Sequence, residues 1–233
     1  MQREEEVVAL HIIEVPKGQQ ATLTLSDGTK VSLNSGSKLT YPSNFSSQNR
    51  SVGLSGEGYF EVTHQGGAPF IVTLPLLEIK VLGTIFNVKA YTDEDAEVTL
   101  EKGKVEIFVD SPDGNKEATP LRLYPNQQLR CTPDKHVSLS EVDPALSSSW
   151  LVGGFFFDNR PLGSIVKDLE RRFDVVIRIS DKEIAQEIFT CHTKAGATLE
   201  QILDVLQNTR KLNYIRNEKT YLILTPNTNT PMN

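Results

Sequence analysis

The hydrophobic pattern of the chain changes near residue 145, and this change limits the folds that the chain can adopt. Before it, apolar residues alternate with polar ones, and Gly, Pro, Asn or Asp recur roughly every eight to twelve residues, a pattern typical of many short β-strands. After it, apolar residues first occur at helical spacing. We therefore expect an all-β N-terminal domain, either a sandwich or stacked hairpins tending to a solenoid, followed by a small α+β domain.

Two hairpins in the N-terminal part can be given a strand register from the requirement that one face stays apolar. In the first, a three-residue loop ending in glycine sets Leu23 opposite Val31. In the second, over residues 96–109, a two-residue turn sets Leu100 opposite Val105. No helical period is visible in this half of the chain, so we expect it to consist of strands.

The C-terminal part, residues 155–225, has the pattern of two β-α-β units. We expect Asp158 and Asn159 to cap the first helix, and Thr198 with Gln201 to form a capping box on the second. The apolar stripe of the first helix consists of Leu162, Ile165, Val166, Leu169 and Phe173. Because such a helix needs a sheet to cover, a two-layer α+β domain follows.

A search of the sequence for catalytic, cofactor or metal sites finds no converging set of residues. The four histidines have no metal-ligand spacing, and no phosphate-binding loop or nucleophile elbow is present. Glu57 and Glu61 would lie about 13 Å apart on one strand, too far for a glycosidase pair, and we interpret them as a solvated strand face. Cys131 and Cys191 are interpreted as small buried residues. We therefore expect a protein that is not an enzyme and uses no cofactor or metal.

The charge and hydropathy of the chain limit its partners. The formal net charge is −6 with Lys and Arg dispersed, whereas nucleic-acid binders carry a basic patch, so we expect no nucleic-acid partner. No run of about 18 apolar residues that could span a bilayer is present. The acidic start is unlike the basic beginning of a signal peptide. If the protein is exported, we expect the exporting segment to lie upstream.

Six motifs occur in order through the N-terminal part. They are LSDGTKVSLNSGSKL (25–39), RSVGLSGEGYFEV (50–62), PFIV (69–72), VLGTIFNV (81–88), VTLEKGKVEI (98–107) and LYPNQQL (123–129). This series resembles the FecR family of anti-sigma regulators, with Gly58 where the family usually has alanine. The stretch FFFDNRPLGSIVKDLERRFDVVI (155–177), with TLEQILDVL after it, resembles the C-terminal domain that often follows in this family. That domain is similar to the secretin/TonB short N-terminal fold.

The resemblance implies a location and a domain layout. The family's N-terminal cytoplasmic segment and single membrane helix have no counterpart in the sequence, so we expect the periplasmic region of a protein anchored in the inner membrane. The expected layout is a juxtamembrane linker over 1–17, an all-β FecR domain over 18–140, a linker over 141–154, an α+β secretin/TonB short N-terminal-like domain over 155–225 and a disordered tail over 226–233.

The resemblance also implies a signalling pathway. In this family, a TonB-dependent transporter of the outer membrane presents its N-terminal signalling domain to the regulator's periplasmic domain, and the signal releases an extracytoplasmic-function (ECF) sigma factor. We thus expect the chain to bind the transporter's signalling domain, and to reach the sigma factor and the membrane only through the missing N-terminal segments. The alternative is a carbohydrate-binding or adhesion β-module of the cell envelope, which would need exposed aromatic residues on one face.

Two local sites follow as hypotheses. The strand that carries Val175, Ile177 and Ile179 could bind the partner as a sheet edge. At the Gly83–Thr84 step, the resemblance raises self-cleavage, in which the threonine hydroxyl attacks the glycine carbonyl in an N-to-O acyl shift. The alternative interpretation is a β-bulge at Gly83 with Thr84 packed in a strand.

Overall fold

The structure of the protein is a computed structural model. It describes residues 9–46, 50–109, 119–209 and 211–225. The chain folds into two compact units, Met1–Ser148 and Ser149–Asn233, which we call the N-terminal unit and the C-terminal unit. The predicted tail over 226–233 and the first eight residues of the predicted N-terminal linker lie outside the described residues.

Strands dominate the N-terminal unit. Its elements are β1 (Leu10–Glu14), β2 (Ala21–Thr24), β3 (Lys30–Leu33), β4 (Lys38–Pro42), β5 (Arg50–Glu61), β6 (Phe70–Thr73), β7 (Leu77–Val81), β8 (Ile85–Ala90), β9 (Ala96–Lys102), β10 (Val105–Val109), β11 (Leu121–Leu123), β12 (Gln127–Cys131), β13 (Val137–Glu141) and the short helix α1 (Pro144–Ser147). Burial alternates along most of these strands, because successive side chains point to opposite faces. The two-residue period of the sequence therefore corresponds to strands, as expected.

The thirteen strands form one curled sheet whose two halves share β5. The first half has the order β11-β10-β7-β6-β5-β4-β1, and the second half has the order β2-β3-β5-β8-β9-β12-β13. The N-terminal part of β5 pairs with β4 and β6, whereas its C-terminal part, from Gly56 onward, pairs with β3 and β8. Both halves contribute to a single hydrophobic core.

Three phenylalanines mark the centre of this core. Phe60 stacks on Phe86 with ring centroids 5.2 Å apart, and Phe70 lies 6.3 Å from Phe60. The three side chains come from β5, β8 and β6, and all are fully buried. Burying one phenylalanine stabilises a fold by about 1.5–3 kcal/mol, so this cluster holds the two halves of the sheet together.

The structure confirms the first predicted hairpin and contradicts the second. Leu23 lies opposite Val31 in the β2–β3 pair. In contrast, β9 lies between β8 and β12, while β10 lies between β7 and β11 in the other half of the sheet. Leu100 and Val105 are nevertheless both fully buried in the shared core. Alternation shows that a side chain faces the core, and it does not show from which half.

Two segments predicted as linkers contain regular structure. Residues 10–14, within the linker predicted over 1–17, form β1 and pair with β4. The linker predicted over 141–154 contains α1 and a 3-10 helix at Ser149–Val152. Ile13 is the residue of β1 that packs against the core. Because a single core-facing residue gives no alternating pattern, the sequence did not indicate this edge strand.

The C-terminal unit is an α+β structure. Its elements are β14 (Phe155–Pro161), α2 (Leu162–Phe173), β15 (Val176–Ile179), α3 (Lys182–Gln186), β16 (Ile188–Thr193), α4 (Leu199–Asn208), β17 (Asn213–Asn217) and β18 (Thr220–Leu224). β14 pairs antiparallel with β16, and a three-stranded sheet has the order β15-β18-β17, with β15 parallel to β18. The expected fold class, an all-β part followed by a small α+β part, is confirmed.

The two main helices of this unit differ in how well their starts were predicted. On α4 the capping box is present: Thr198 N–H donates to the Gln201 side chain at 3.0 Å, and Gln201 N–H donates to the Thr198 hydroxyl at 3.3 Å. On α2 the predicted apolar stripe faces the core, but the predicted cap is wrong. Asp158 and Asn159 belong to β14, and Pro161 precedes the helix without a side-chain cap hydrogen bond. The strand continues up to the helix and leaves no turn for a capping residue.

Candidate partner-binding surface

β15 lies at one edge of the three-stranded sheet, and its strand partner among the described strands is β18. Ile177 is buried in the core of the C-terminal unit, and Val175 and Ile179 pack against that core. The three side chains named for partner binding therefore point toward the helices. A partner strand at this edge would meet their main-chain groups and not their side chains.

The main chain of β15 alternates between its two sides. Val176 N–H donates to Lys219 O at 3.0 Å, so even-numbered residues bond toward β18 and odd-numbered residues present N–H and C=O groups to the opposite edge. At the centre of that edge, Ile177 N–H donates to the Glu170 carboxylate at 2.8 Å. A partner strand along β15 would have to replace this hydrogen bond.

The face of the sheet opposite the helices carries an apolar patch formed by Val176, Ile215 and Leu222, which we call the outer patch. These side chains are 48%, 57% and 36% exposed. Leu222 on β18 lies directly opposite Ile215 on β17, and Val176 on β15 is its diagonal neighbour. Arg178 lies beside Leu222 on the same face. The outer patch thus spans all three strands with a cation at its border.

Polar groups on the helix side of this sheet interact within the unit. Glu200 on α4 accepts hydrogen bonds from Tyr221 OH at 2.6 Å and from Arg216 at 2.8 Å, and these interactions lower the pKa of its carboxyl. Tyr214 OH donates to Asp204 at 2.7 Å, and this bond together with burial raises the pKa of Tyr214 to about 12. These contacts hold α4 on the inner face of the sheet, while the outer patch remains exposed.

The Gly83–Thr84 step lies between β7 and β8 and is closely packed. A Cβ atom at Gly83 would lie 2.8 Å from His64 Cβ, and one at Gly103 would lie 2.9 Å from Gly83 O. Thr84 is 3% exposed, and its hydroxyl donates to Lys104 O at 3.1 Å. A larger residue would not fit at either glycine without displacing its neighbour, and the threonine hydroxyl is shielded from water.

A buried ion pair that the sequence motifs did not reveal lies in the N-terminal unit. Arg50 Nη1 lies 3.0 Å from Asp27 Oδ2, and the two side chains are 1% and 2% exposed. The guanidinium also donates to the main-chain carbonyls of Thr63 and Ala68. Asp27 accepts hydrogen bonds from the N–H and hydroxyl of Thr29. This network joins the β2–β3 turn, the start of β5 and the loop after β5, so its role is to hold these segments together.

Glu57 is buried, and the interpretation of its strand face as solvated is wrong at this position. The residue is 8% exposed, and its carboxylate accepts hydrogen bonds from Asn34 at 2.8 Å and Asn87 at 3.1 Å. Glu61, further along β5, is exposed as expected. The amide donors satisfy the Glu57 carboxylate, and the cluster links the end of β3 to the middle of β5 and of β8.

The described ranges hold neither a metal-ligand cluster nor a membrane-spanning helix. No group of three or more histidine, cysteine or acidic side chains that could hold a metal occurs there. Cys131 and Cys191 are buried free thiols, as interpreted, and burial raises the pKa of both. No helix in the described part of the chain has the length and hydropathy to cross a bilayer.

Comparison with known proteins identifies the family. The family described as "FecR protein" matches residues 11–106, and the family described as "FecR, C-terminal" matches residues 154–223. The chain belongs to the FecR family of anti-sigma factors. A crystal structure of a proposed anti-sigma factor from Parabacteroides distasonis at 1.65 Å is 31% identical with a TM-score of 0.85, and the match covers 92% of this chain and 99% of that one. A second such structure from the same organism, at 2.50 Å, is 32% identical with a TM-score of 0.85, covering 93% and 99%.

Among curated proteins, no relative matches the chain. Membership of the FecR family makes the chain part of a signal-relaying anti-sigma regulator. FecR proteins are membrane-anchored with periplasmic domains, and the family acts in general through a sigma factor and a receptor partner rather than by catalysis. The FecR C-terminal match falls in the C-terminal unit, which carries the outer patch.

Proposed function

We propose that the chain is the periplasmic, signal-receiving region of an inner-membrane FecR regulator. Its C-terminal unit binds the N-terminal signalling domain of a TonB-dependent outer-membrane transporter, and the signal is relayed to an ECF sigma factor. The observation that carries the proposal is the outer patch beside the edge strand β15, on the FecR C-terminal unit.

The chemistry of this surface favours a protein partner. Adjoining exposed apolar side chains are typical of protein-binding surfaces, and Val176, Ile215 and Leu222 adjoin one another on three strands. Arg178 adds a positive charge to the same face, which favours a partner with an acidic residue beside its apolar contacts.

The free edge of β15 adds a second element of recognition. The odd-numbered residues named above, Val175, Ile177 and Ile179, present their main-chain groups at the rim of the outer patch. A partner strand that displaced the Glu170 carboxylate from Ile177 N–H would gain main-chain hydrogen bonds next to the apolar contact. We therefore propose that side chains of the outer patch and the main chain of β15 bind the same partner.

Val176→Glu is expected to weaken binding of the isolated transporter signalling domain at least about tenfold, because a carboxylate would be buried against apolar side chains. Isothermal titration calorimetry of the full chain measures this. The matched control is Val205→Glu: Val205 on α4 is 49% exposed, close to the 48% of Val176, and it lies off the outer patch. The control should bind as the unmodified chain does.

Three outcomes of that titration contradict parts of the proposal. If both variants weaken binding of the signalling domain equally, or if neither weakens it, the outer patch is not the contact surface. An unmodified chain that gives no binding even at high micromolar concentration would contradict the transporter domain as partner. Heat on titration with envelope glycans instead would favour the carbohydrate-binding alternative.

Self-cleavage at Gly83–Thr84 is a separate prediction for the same chain. The Thr84 hydroxyl oxygen would attack the Gly83 carbonyl carbon, the C–N bond would break with the proton passing to the new amine, and water would hydrolyse the resulting ester. The hypothesis predicts two fragments in the intact mass of stored protein, one ending at Gly83 and one beginning at Thr84. Thr84→Ser should retain the cut and Thr84→Val should prevent it. A stored protein that remains a single full-length species would show that no cleavage occurs.

A further inference from the structure

β13 is an edge strand whose apolar side chains are uncovered. Among the described strands it pairs with β12 alone, and all five of its residues are exposed. Leu139 lies opposite Leu129, and Val137 lies opposite Cys131. Leu129 and Cys131 are fully buried, whereas Leu139 is 53% exposed. The core-facing row of side chains therefore continues onto β13 beyond the point where the core ends.

The main chain of β13 forms strand-pairing hydrogen bonds on one side, toward β12. Next to the turn, Thr132 N–H donates to His136 O at 3.0 Å, so the even-numbered residues of β13 bond toward β12. The N–H and C=O groups of Val137, Leu139 and Glu141 consequently point to the opposite side. Together with the exposed leucine, they form an unprotected edge.

Two other edges of the curled sheet, at β1 and β11, are better protected. Natural proteins protect edge strands by charge, proline, bulges or short length. β1 has an ion pair between Glu14 and Lys38 of its neighbour β4, at 2.7 Å, and β11 has three residues. β13, with the sequence VSLSE, has no proline and no bulge, and its centre has no charge. Its edge is therefore suited to pairing with another strand.

The strand VSLSE is complementary to itself about its centre. In an antiparallel pair with Leu139 opposite the same leucine of a second copy, Val137 lies opposite Glu141 and the serines lie opposite one another. All three residues whose main-chain groups point outward then meet as hydrogen-bonded pairs. A two-fold axis through the central pair makes the contact isologous. We propose that β13 joins two copies of this chain into a dimer by pairing along this edge.

The distribution of charge favours this register. Glu141 lies opposite Val137 and not opposite a second carboxylate, which avoids a destabilising like-charge pair. The dimer would also cover the two Leu139 side chains with each other, which removes apolar surface from water.

Leu139→Cys tests the register directly. In a hydrogen-bonded antiparallel pair the Cα atoms lie about 5.5 Å apart, a distance that a disulfide spans. Mild oxidation of the full chain should therefore give a covalent dimer on a non-reducing gel. The matched control is Leu10→Cys, since Leu10 is an exposed apolar residue on the edge strand β1. It should give no covalent dimer under the same conditions, with the buried Cys131 and Cys191 present in both variants.

Sedimentation equilibrium of the unmodified chain provides the second measurement. The average mass should rise from monomer toward dimer between about 10 µM and about 1 mM, as expected for a small interface. Leu139→Lys should raise the dimer dissociation constant at least about tenfold, because it sets two like charges opposite each other, while Leu10→Lys should leave it unchanged. A chain that is monomeric at every concentration, a dimer that persists in Leu139→Lys, or equal cross-linking of both cysteine variants would overturn the proposal.

Discussion

Arg50→Met is expected to lower the free energy of unfolding of the N-terminal unit by about 3–5 kcal/mol, the cost of removing one partner from a buried ion pair. The Arg50 and Asp27 side chains are 1% and 2% exposed. Methionine fills a similar volume, but it leaves the Asp27 carboxylate buried without a cation. The carbonyls of Thr63 and Ala68 also lose a donor.

The large effect arises from breaking the network and not from a large gain in forming it. Arg50 Nε is buried without a hydrogen-bond partner in the described part of the chain, so the desolvation of the guanidinium is only partly compensated. Arg50→Lys keeps the charge but cannot present the same fork of donors. We expect it to have a stability between that of the unmodified chain and that of Arg50→Met.

Guanidinium denaturation followed by far-UV circular dichroism measures the loss, and hydrogen exchange of peptides from β5 assigns it to the N-terminal unit. The control is Arg122→Met: Arg122 forms an ion pair with Glu106 at 3.1 Å, but its side chain is 59% exposed. An exposed pair contributes less than about 1 kcal/mol. A similar loss in both variants, or a loss below about 1 kcal/mol for Arg50→Met, would show that burial of the pair does not determine its effect.

Gly56→Ala is expected to destabilise the same unit by about 2–6 kcal/mol, from backbone strain of about 1–3 kcal/mol and overpacking of about 1–3 kcal/mol. Gly56 has φ of +114°, and its Cβ would lie 2.5 Å from Ser37 Oγ and 2.6 Å from Ser37 Cα. Ser37 cannot easily move away, because its hydroxyl accepts from Glu57 N–H at 2.8 Å. This is the point where β5 passes from one half of the sheet to the other.

Gly67→Ala separates the two causes. Gly67 also has a positive φ, +88°, but no atom lies within 4 Å of a Cβ built there. It should therefore show the backbone strain alone, about 1–3 kcal/mol. Thermal and chemical denaturation of both variants measure the difference. Equal losses would mean that the close approach of Ser37 to Gly56 contributes nothing.

Alternation of apolar residues predicted the strands of the N-terminal unit but not all their partners. The β2–β3 register was predictable because a short loop leaves few ways to keep Leu23 and Val31 on one face. The strand partners of β9 and β10 were not predictable, because Leu100 and Val105 would face the core either in one hairpin or from opposite halves of the sheet. Partner choice between strands depends on contacts distant in sequence, which periodicity does not report.

The candidate surface could be predicted in part. The strand near 175–179 was predicted, but its position at the sheet edge was not. That position depends on its parallel pairing with β18, a strand distant in sequence, and no local pattern indicates this pairing. The outer patch combines Val176, Ile215 and Leu222 from separate strands and was missed for the same reason. The buried arginine had a usable signal, since Arg50 lies in phase with core-facing residues of β5, an inward position that arginine rarely takes unless it has a partner.

The connection between β7 and β8 joins strands whose neighbours come from both directions of the chain. β7 pairs with β10, which follows the connection, and β8 pairs with β5, which precedes it. The two pieces left by a single backbone break there are therefore interlaced, each completing the other's sheet. They would stay associated without a covalent link, as the fragments of a split protein do, until the strand pairs between them unfold. Continuity of the backbone and integrity of the architecture are thus independent properties at this point of the molecule.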